Sequence, residues 1–117
     1  MFYTGTSLED GGDIQRVGAA TSKDLITWDK VPGPLTEADP TIYEKLDYNL
    51  WHDEAWRDPW VFKYDDIWHM IVTARGLSGD KYGRGVAGHA TSKDLKTWTV
   101  REPLTETESG FGQMEVI

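Results

Sequence analysis

Two carboxylates, at positions 58 and 115, have the company and the spacing that bond-breaking chemistry asks for. Asp58 stands in Trp56-Arg57-Asp58-Pro59-Trp60, between a permanently charged guanidinium and a proline that enters an apolar run. A neighbouring cation favours the ionised carboxylate. A fixed anion at the mouth of a cavity can accept hydrogen bonds from sugar hydroxyls and offset developing positive charge. Glu115, in Phe111-Gly112-Gln113-Met114-Glu115, follows 57 residues later (115 − 58). Two carboxylates facing one cavity are what cleavage of a glycosidic bond requires, one to protonate the leaving oxygen and one to support or attack the anomeric carbon. Apolar neighbours such as Phe111 and Met114 would favour the protonated form of Glu115 and suit it to general-acid work. Taken singly, Arg57 and Asp58 read as a surface ion pair ahead of a strand and Glu115 as a solvated side chain. The chemistry lies in the pairing.

A scaffold that brings such residues together is written in an internal repeat. Gly18-Ala19-Ala20-Thr21-Ser22-Lys23-Asp24-Leu25-Ile26-Thr27-Trp28 recurs as Gly88-His89-Ala90-Thr91-Ser92-Lys93-Asp94-Leu95-Lys96-Thr97-Trp98, 70 residues on (88 − 18), with nine of eleven positions identical. Pro34-Leu35-Thr36-Glu37 matches Pro103-Leu104-Thr105-Glu106, and Met1-Phe2-Tyr3-Thr4 matches Met70-Ile71-Val72-Thr73 more loosely. In the fuller copy, Pro59–Tyr64 and Trp68–Ala74 are aromatic and β-branched runs around an Asp65-Asp66 turn, a hairpin pattern. Gly85–Thr91 reads as a third strand. Ser92–Leu95 reads as a turn whose Ser and Asp side chains bond nearby backbone groups, and Thr97–Val100 as a short outer strand. Helix capping by the Ser-Lys-Asp-Leu segment is the weaker reading, because β-branched residues follow at once.

Four antiparallel strands per repeated unit describe a blade of an all-β propeller. A β-sandwich also uses many short strands, but the repeat favours the propeller. The chain is expected to hold about one and a half blades: residues 1–50 most of one, 51–108 the next, and 109–117 the start of a third. Met1–Gly5 reads as the middle of a strand. Propellers close as rings of about 4–8 blades, so an open fan of blades would expose strand edges and call for the remaining blades or for self-association. Asp58, at the start of a blade's first strand, and Glu115, near the start of the next, would both sit at the mouth of the central channel. Gly76, Gly79, Gly83 and Gly85 mark a long hairpin loop that would overhang it as a specificity element.

Composition narrows the partners. The 117 residues carry a net charge of −8, which repels nucleic acid and anionic membranes, so neither is expected as a partner. There are no cysteines, which excludes disulfides, thiolate metal sites and thiol nucleophiles. No metal or cofactor is expected: His52, Asp53 and Glu54 are consecutive in a loop without a suitably spaced further ligand. The first residues have no signal-peptide pattern, and if complete the chain would be cytoplasmic. Six tryptophans are enough to serve both a core and a sugar-stacking surface. Trp28 and Trp98, which recur in the repeat, are assigned to the core, and His69 and His89 to structural positions in strands.

Arg57-Asp58-Pro59 before an apolar strand, with Glu115 at this distance, resembles the Arg-Asp-Pro motif and third-motif Glu of glycoside hydrolase family 32, the invertases, inulinases and levanases. The Ala-Thr-Ser-Lys-Asp-Leu-x-Thr-Trp repeat and the opening Phe-Tyr-Thr-Gly are similar to blade segments of these five-bladed enzymes. The resemblance implies a retaining hydrolase of β-fructofuranosides, of the sucrose or fructan type. Within it Asp58 would be the transition-state stabiliser, Glu115 the acid/base and Arg57 a group that orients substrate or Asp58. Trp51, His52 and Trp56 would line the sugar subsite. Two features depart from the pattern. No Asn-Asp-Pro segment carries the nucleophile (Asp39-Pro40 lacks the Asn), and Val116 stands where the family usually has Cys. The isolated chain is therefore expected to hydrolyse nothing. An inverting arabinanase- or xylosidase-like enzyme of the same fold, and a non-catalytic sugar-binding remnant, are the alternatives.

Overall fold

A computed structural model describes residues 1–115. Its seven strands form two antiparallel sheets. The first sheet has the order β1 (Phe2–Gly5), β2 (Arg16–Thr21), β3 (Asp29–Lys30). The second has the order β4 (Trp56–Tyr64), β5 (Ile67–Arg75), β6 (Gly85–Ser92), β7 (Thr99–Arg101). Strand order equals chain order in both, the meander of a propeller blade. By the repeat, β1, β2 and β3 correspond to β5, β6 and β7, and the described residues hold no counterpart of β4 in the first sheet. Residues 109–115 cross as irregular chain. The expected strand of a third blade extends to Val116 and Ile117, which lie outside the described residues.

Local chemistry explains the turns. Asp65 and Asp66 both take left-handed backbone (φ 49° and 59°), which a two-residue hairpin between right-twisted strands requires and which short polar side chains tolerate. The two Ser-x-Asp-Leu turns are built alike. Ser22 Oγ accepts from the Asp24 and Leu25 amides while Asp24 Oδ1 accepts from those of Ile26 and Thr27; Ser92 and Asp94 repeat this at Asp94, Leu95, Lys96 and Thr97. These bonds hold both aspartates below the ordinary carboxylate value. The side chains thus satisfy backbone donors that a helix would otherwise use, and the chain turns into the outer strand.

The core lies between the sheets. Val17, Tyr43, Trp56, Met70, Val72, Val86 and Ala90 are buried together. Tyr43 meets Trp56 edge to face at 4.9 Å, donates to the Arg101 carbonyl at 2.6 Å and accepts from the His89 amide at 3.1 Å. Burial raises its hydroxyl to about 12. Trp98 packs against this core, with its ring edge to face on Phe2 of the first sheet at 5.8 Å. Trp28, assigned to the core with it, is partly buried as Trp98 is but is not among the residues packed against this core. The residue that Trp98 finds in the neighbouring sheet has no equivalent beside Trp28 among the described residues.

Strand alternation decides which side chains leave this core. Met70, Val72 and Ala74 of β5 point into it, so Ile71, Thr73 and Arg75 face the other side of the second sheet. There His69 Nδ1 lies 3.0 Å from His89 Nε2 with the rings stacked. Trp60, Phe62 and Tyr64 continue the aromatic face along β4, with Trp60 and Tyr64 exposed.

Candidate active site

The candidate site begins at an irregularity in β4. Arg57 pairs with Thr73 but Trp60 pairs with Ile71, so one extra residue is inserted on β4 as a bulge. Pro59, which has no amide to donate, fits where the ladder is broken. Asp58 takes the left-handed conformation there (φ 57°), a geometry costing a non-glycine residue roughly 1–2 kcal/mol. Its amide, turned out of the ladder, donates to Thr4 Oγ1 on β1 at 2.9 Å. Strain of this kind persists where surrounding contacts over-determine it.

Arg57 is the hub. Its side chain is 13% exposed, while those of Asp58 and Glu115 are 52% and 67% exposed. Nε stands 3.5 Å from Asp58 Oδ2, and Nη2 donates to Glu115 Oε1 at 2.9 Å. Nη1 also donates to Gln15 Oε1 at 3.1 Å, Nη2 to Gln113 Oε1 at 2.8 Å, and Asp53 Oδ2 lies 3.7 Å from Nη1. The two sequence-selected carboxylates therefore share one guanidinium. The apolar surround expected for Glu115 is absent among the described residues. Phe111 is 61% exposed, and the first partner of Glu115 is a cation that reaches across from β4.

The segment that carries Glu115 is held by residues on the same side of β5 as Arg57 is of β4. Thr73 Oγ1 donates to the Met114 carbonyl at 2.6 Å, and Arg75 Nη1 donates to the Gly112 carbonyl. Arg75, only 1% exposed, also pairs with buried Glu44 (Nε to Oε1 2.8 Å), donates to the Lys81 carbonyl at 2.8 Å and stacks on Trp51 at 4.0 Å. Gly85, opposite Arg75 in the ladder, is the gap through which the segment crosses. A Cβ there would stand 2.7 Å from the Phe111 carbonyl oxygen and 2.8 Å from Gln113 Cα. The glycine-rich loop after β5 is tied to the same segment, with the Glu108 amide donating to the Gly83 carbonyl at 2.7 Å and the Asp80 amide to Glu108 Oε1 at 3.1 Å. It buttresses the site rather than hanging free above it.

The subsite residues divide. Trp56 is fully buried, paired with Ala74 on the core face, and cannot offer a ring to a sugar. Its assignment to a binding surface is corrected by the register, which sends Arg57 outward and Trp56 in. Trp51 is half-buried, with Arg75 against its ring and Gly112 so close that a Cβ would lie 2.5 Å from it. That position steadies the Glu115 segment. His52 is 75% exposed beside Asp53. With Trp51, Lys81 and Tyr82 it edges an open cavity of about 480 Å³. Gln15, Arg75 and Gln113 belong to the assembly and have no sequence pattern that announces them; Thr4 and Thr73 stand at matching positions of the repeat, and Asp53 lies in the His52-Asp53-Glu54 run, with no sign in the sequence of the contacts they make.

These elements define a propeller segment with an acidic pair at a blade junction. The family described as "Glycosyl hydrolases family 32 N-terminal domain" matches residues 1–117, and the chain belongs to it. Among solved structures the chain is similar to the family 32 β-fructofuranosidase BmSUC1 of Bombyx mori. The TM-score is 0.65 at 22% identity, over 92% of this chain and 21% of that one. The chain thus spans about a fifth of the length of that protein. No curated protein sequence gives a significant match.

Proposed function

We propose that this chain forms one wall of the active site of a retaining glycosidase acting on β-fructofuranosides, with Asp58 and Glu115 as two of its three carboxylates. The observation that carries the reading is their convergence on Arg57, one from a strained bulge and one from a segment that three β4 and β5 side chains hold. Asp58 accepts hydrogen bonds from ring hydroxyls, and its charge offsets that of the oxocarbenium-like transition state. Glu115 gives its proton to the leaving oxygen and then takes one from the attacking water. Arg57 occupies Oε1 of Glu115, which leaves Oε2 for the transferred proton. The nucleophilic carboxylate and the walls that complete the channel come from further blades.

Family membership and the fold of the silkworm enzyme support this reading. The test uses the full-length protein that bears this chain, assayed on sucrose and inulin-type fructans, with product stereochemistry followed by NMR. Glu115→Gln is expected to slow hydrolysis of ordinary fructosides by about 10²–10⁴-fold, with far smaller loss on a fructosyl donor whose leaving group needs no proton. Equal losses on both donors refute the acid role. Product of inverted configuration refutes the retaining mechanism.

A further inference from the structure

We propose that Asp53 is a positioning residue for this site, setting the orientation of the two glutamine amides that hold the Arg57 guanidinium between Asp58 and Glu115; the proposal rests on Asp58 and Glu115 being the working carboxylates. Asp53 Oδ1 accepts from Gln113 Nε2 at 2.7 Å, and Oδ2 accepts from Gln15 Nε2 at 3.2 Å. An ionised carboxylate only accepts and a guanidinium only donates. Each glutamine between them must turn its NH2 to Asp53 and its oxygen to Arg57, and in that orientation the amide oxygens stand 3.1 Å from Nη1 and 2.8 Å from Nη2. The result is a closed ring of donors and acceptors around Arg57 with a single consistent polarity.

The backbone places Asp53 for this task. The Glu54 amide donates to the Asp13 carbonyl at 2.8 Å, and the Gln15 amide donates to the Glu54 carbonyl at 3.1 Å, which brings Gln15 beside residue 53. The adjacent Glu54 is buried and turned to Lys45 at 2.5 Å, so the two consecutive carboxylates have separate tasks. Asp53 itself is 15% exposed and is positioned to act through Arg57.

Asp53→Asn tests the polarity at nearly constant shape. Asparagine keeps an acceptor for one glutamine but presents NH2 to the other, which must then flip and turn its own NH2 toward Arg57. In the full-length protein the substitution is expected to lower kcat by about 10²-fold, the scale of a misplaced catalytic group, with KM changed much less. The double variant Asp53→Asn with Gln113→Glu restores the order, since the introduced asparagine amide donates to one carboxylate oxygen at position 113 and Arg57 donates to the other. It is expected to recover at least tenfold. A single variant within twofold of the parent, or a double variant no faster than the single, overturns the proposal. If Asp53→Asn does not fold, Gln113→Met removes one link with Asp53 intact, and unchanged kcat there overturns it equally. Should the parent protein cleave no fructoside, the functional reading fails on its own. The Asp53→Asn crystal structure then decides this one, Arg57 leaving Gln15 or Gln113 being the expected result and Arg57 unmoved the refuting one.

Discussion

Replacement of Arg75 by methionine tests how the Glu115 segment is held. Arg75 is 1% exposed and Glu44 2%, and they meet through two hydrogen bonds of 2.8 and 3.2 Å. Removing one partner of such a pair leaves a buried charge and costs about 3–5 kcal/mol, because desolvation is no longer offset. Here Arg84 Nη1 remains 3.2 Å from Glu44 Oε2, which places the expected cost near the lower end, about 3 kcal/mol. The second substitution, Glu44→Met, should then restore most of the loss, since neither charge is left alone in the interior; Arg84 is partly exposed and can turn to water. Stability would be read from denaturant unfolding of the full-length protein and its two single and one double variants. The carbonyls of Gly112 and Lys81 stay without Arg75 in both the Arg75→Met single variant and the double variant, so activity should not recover with stability. A single variant destabilised by less than about 1 kcal/mol, or single-variant costs that simply add in the double, would refute the buried-pair reasoning. Recovery of activity with stability would refute the claim that Arg75 positions the segment.

Other expectations follow from single contacts. Thr4→Val removes the acceptor of the Asp58 amide and should cost about 0.5–1.5 kcal/mol while lowering kcat; unchanged kinetics would show that the bulge holds Asp58 without Thr4. Gly85→Ala puts a methyl 2.7 Å from the Phe111 carbonyl, so the 111–113 segment must move, and activity should fall further than thermal stability. His89 is held below its ordinary value of 6.5 by burial first and then by His69 and Arg101. The unfolded chain then binds the extra proton more readily, so stability is full above about pH 6.5 and declines as pH falls through the folded-state value. The β4 neighbours of the pair are aromatic, Phe62 stacked on His69 at 5.4 Å and Tyr64 edge to face with it at 6.3 Å. His89→Gln should flatten the Tm profile below pH 6.5, and an unaltered profile would exclude His89 as its source. The purified 117-residue chain should not hydrolyse sucrose, because it has no Asn-Asp-Pro segment to supply the nucleophile of the proposed mechanism; measurable turnover would refute the assignment of the nucleophile to other blades.

Much of the fold was legible because its signals are local. The 70-residue repeat, the Asp65-Asp66 hairpin and the Ser-x-Asp-Leu turns each depend on residues within a few positions, and each forms as its chemistry requires. The family resemblance was legible from Arg57-Asp58-Pro59 and Glu115. The fate of the tryptophans was not. Trp56 and Arg57 are adjacent in a strand, and which one faces the core depends on the register against β5, a long-range pairing that one extra residue at Asp58 shifts for everything beyond it. The surroundings of Glu115 are hidden from the sequence for a related reason. Phe111 and Met114 are near it in sequence, but its nearest charged partner arrives from 58 residues away.

The same consideration explains why the site sits at a junction and not within a blade. Asp58 belongs to the second sheet, but the acceptor for its amide is Thr4 of the first. Arg57 is braced by Gln15 from before β2 and by Gln113 from after β7. Each repeat can build its own turns and ladder from local instructions, yet none of these three contacts lies within one sheet. The carboxylates acquire a fixed geometry only when neighbouring units pack, so errors of packing between blades should be felt as lost catalysis before they are felt as lost strands. A single blade expressed alone would carry the motif and lack the geometry.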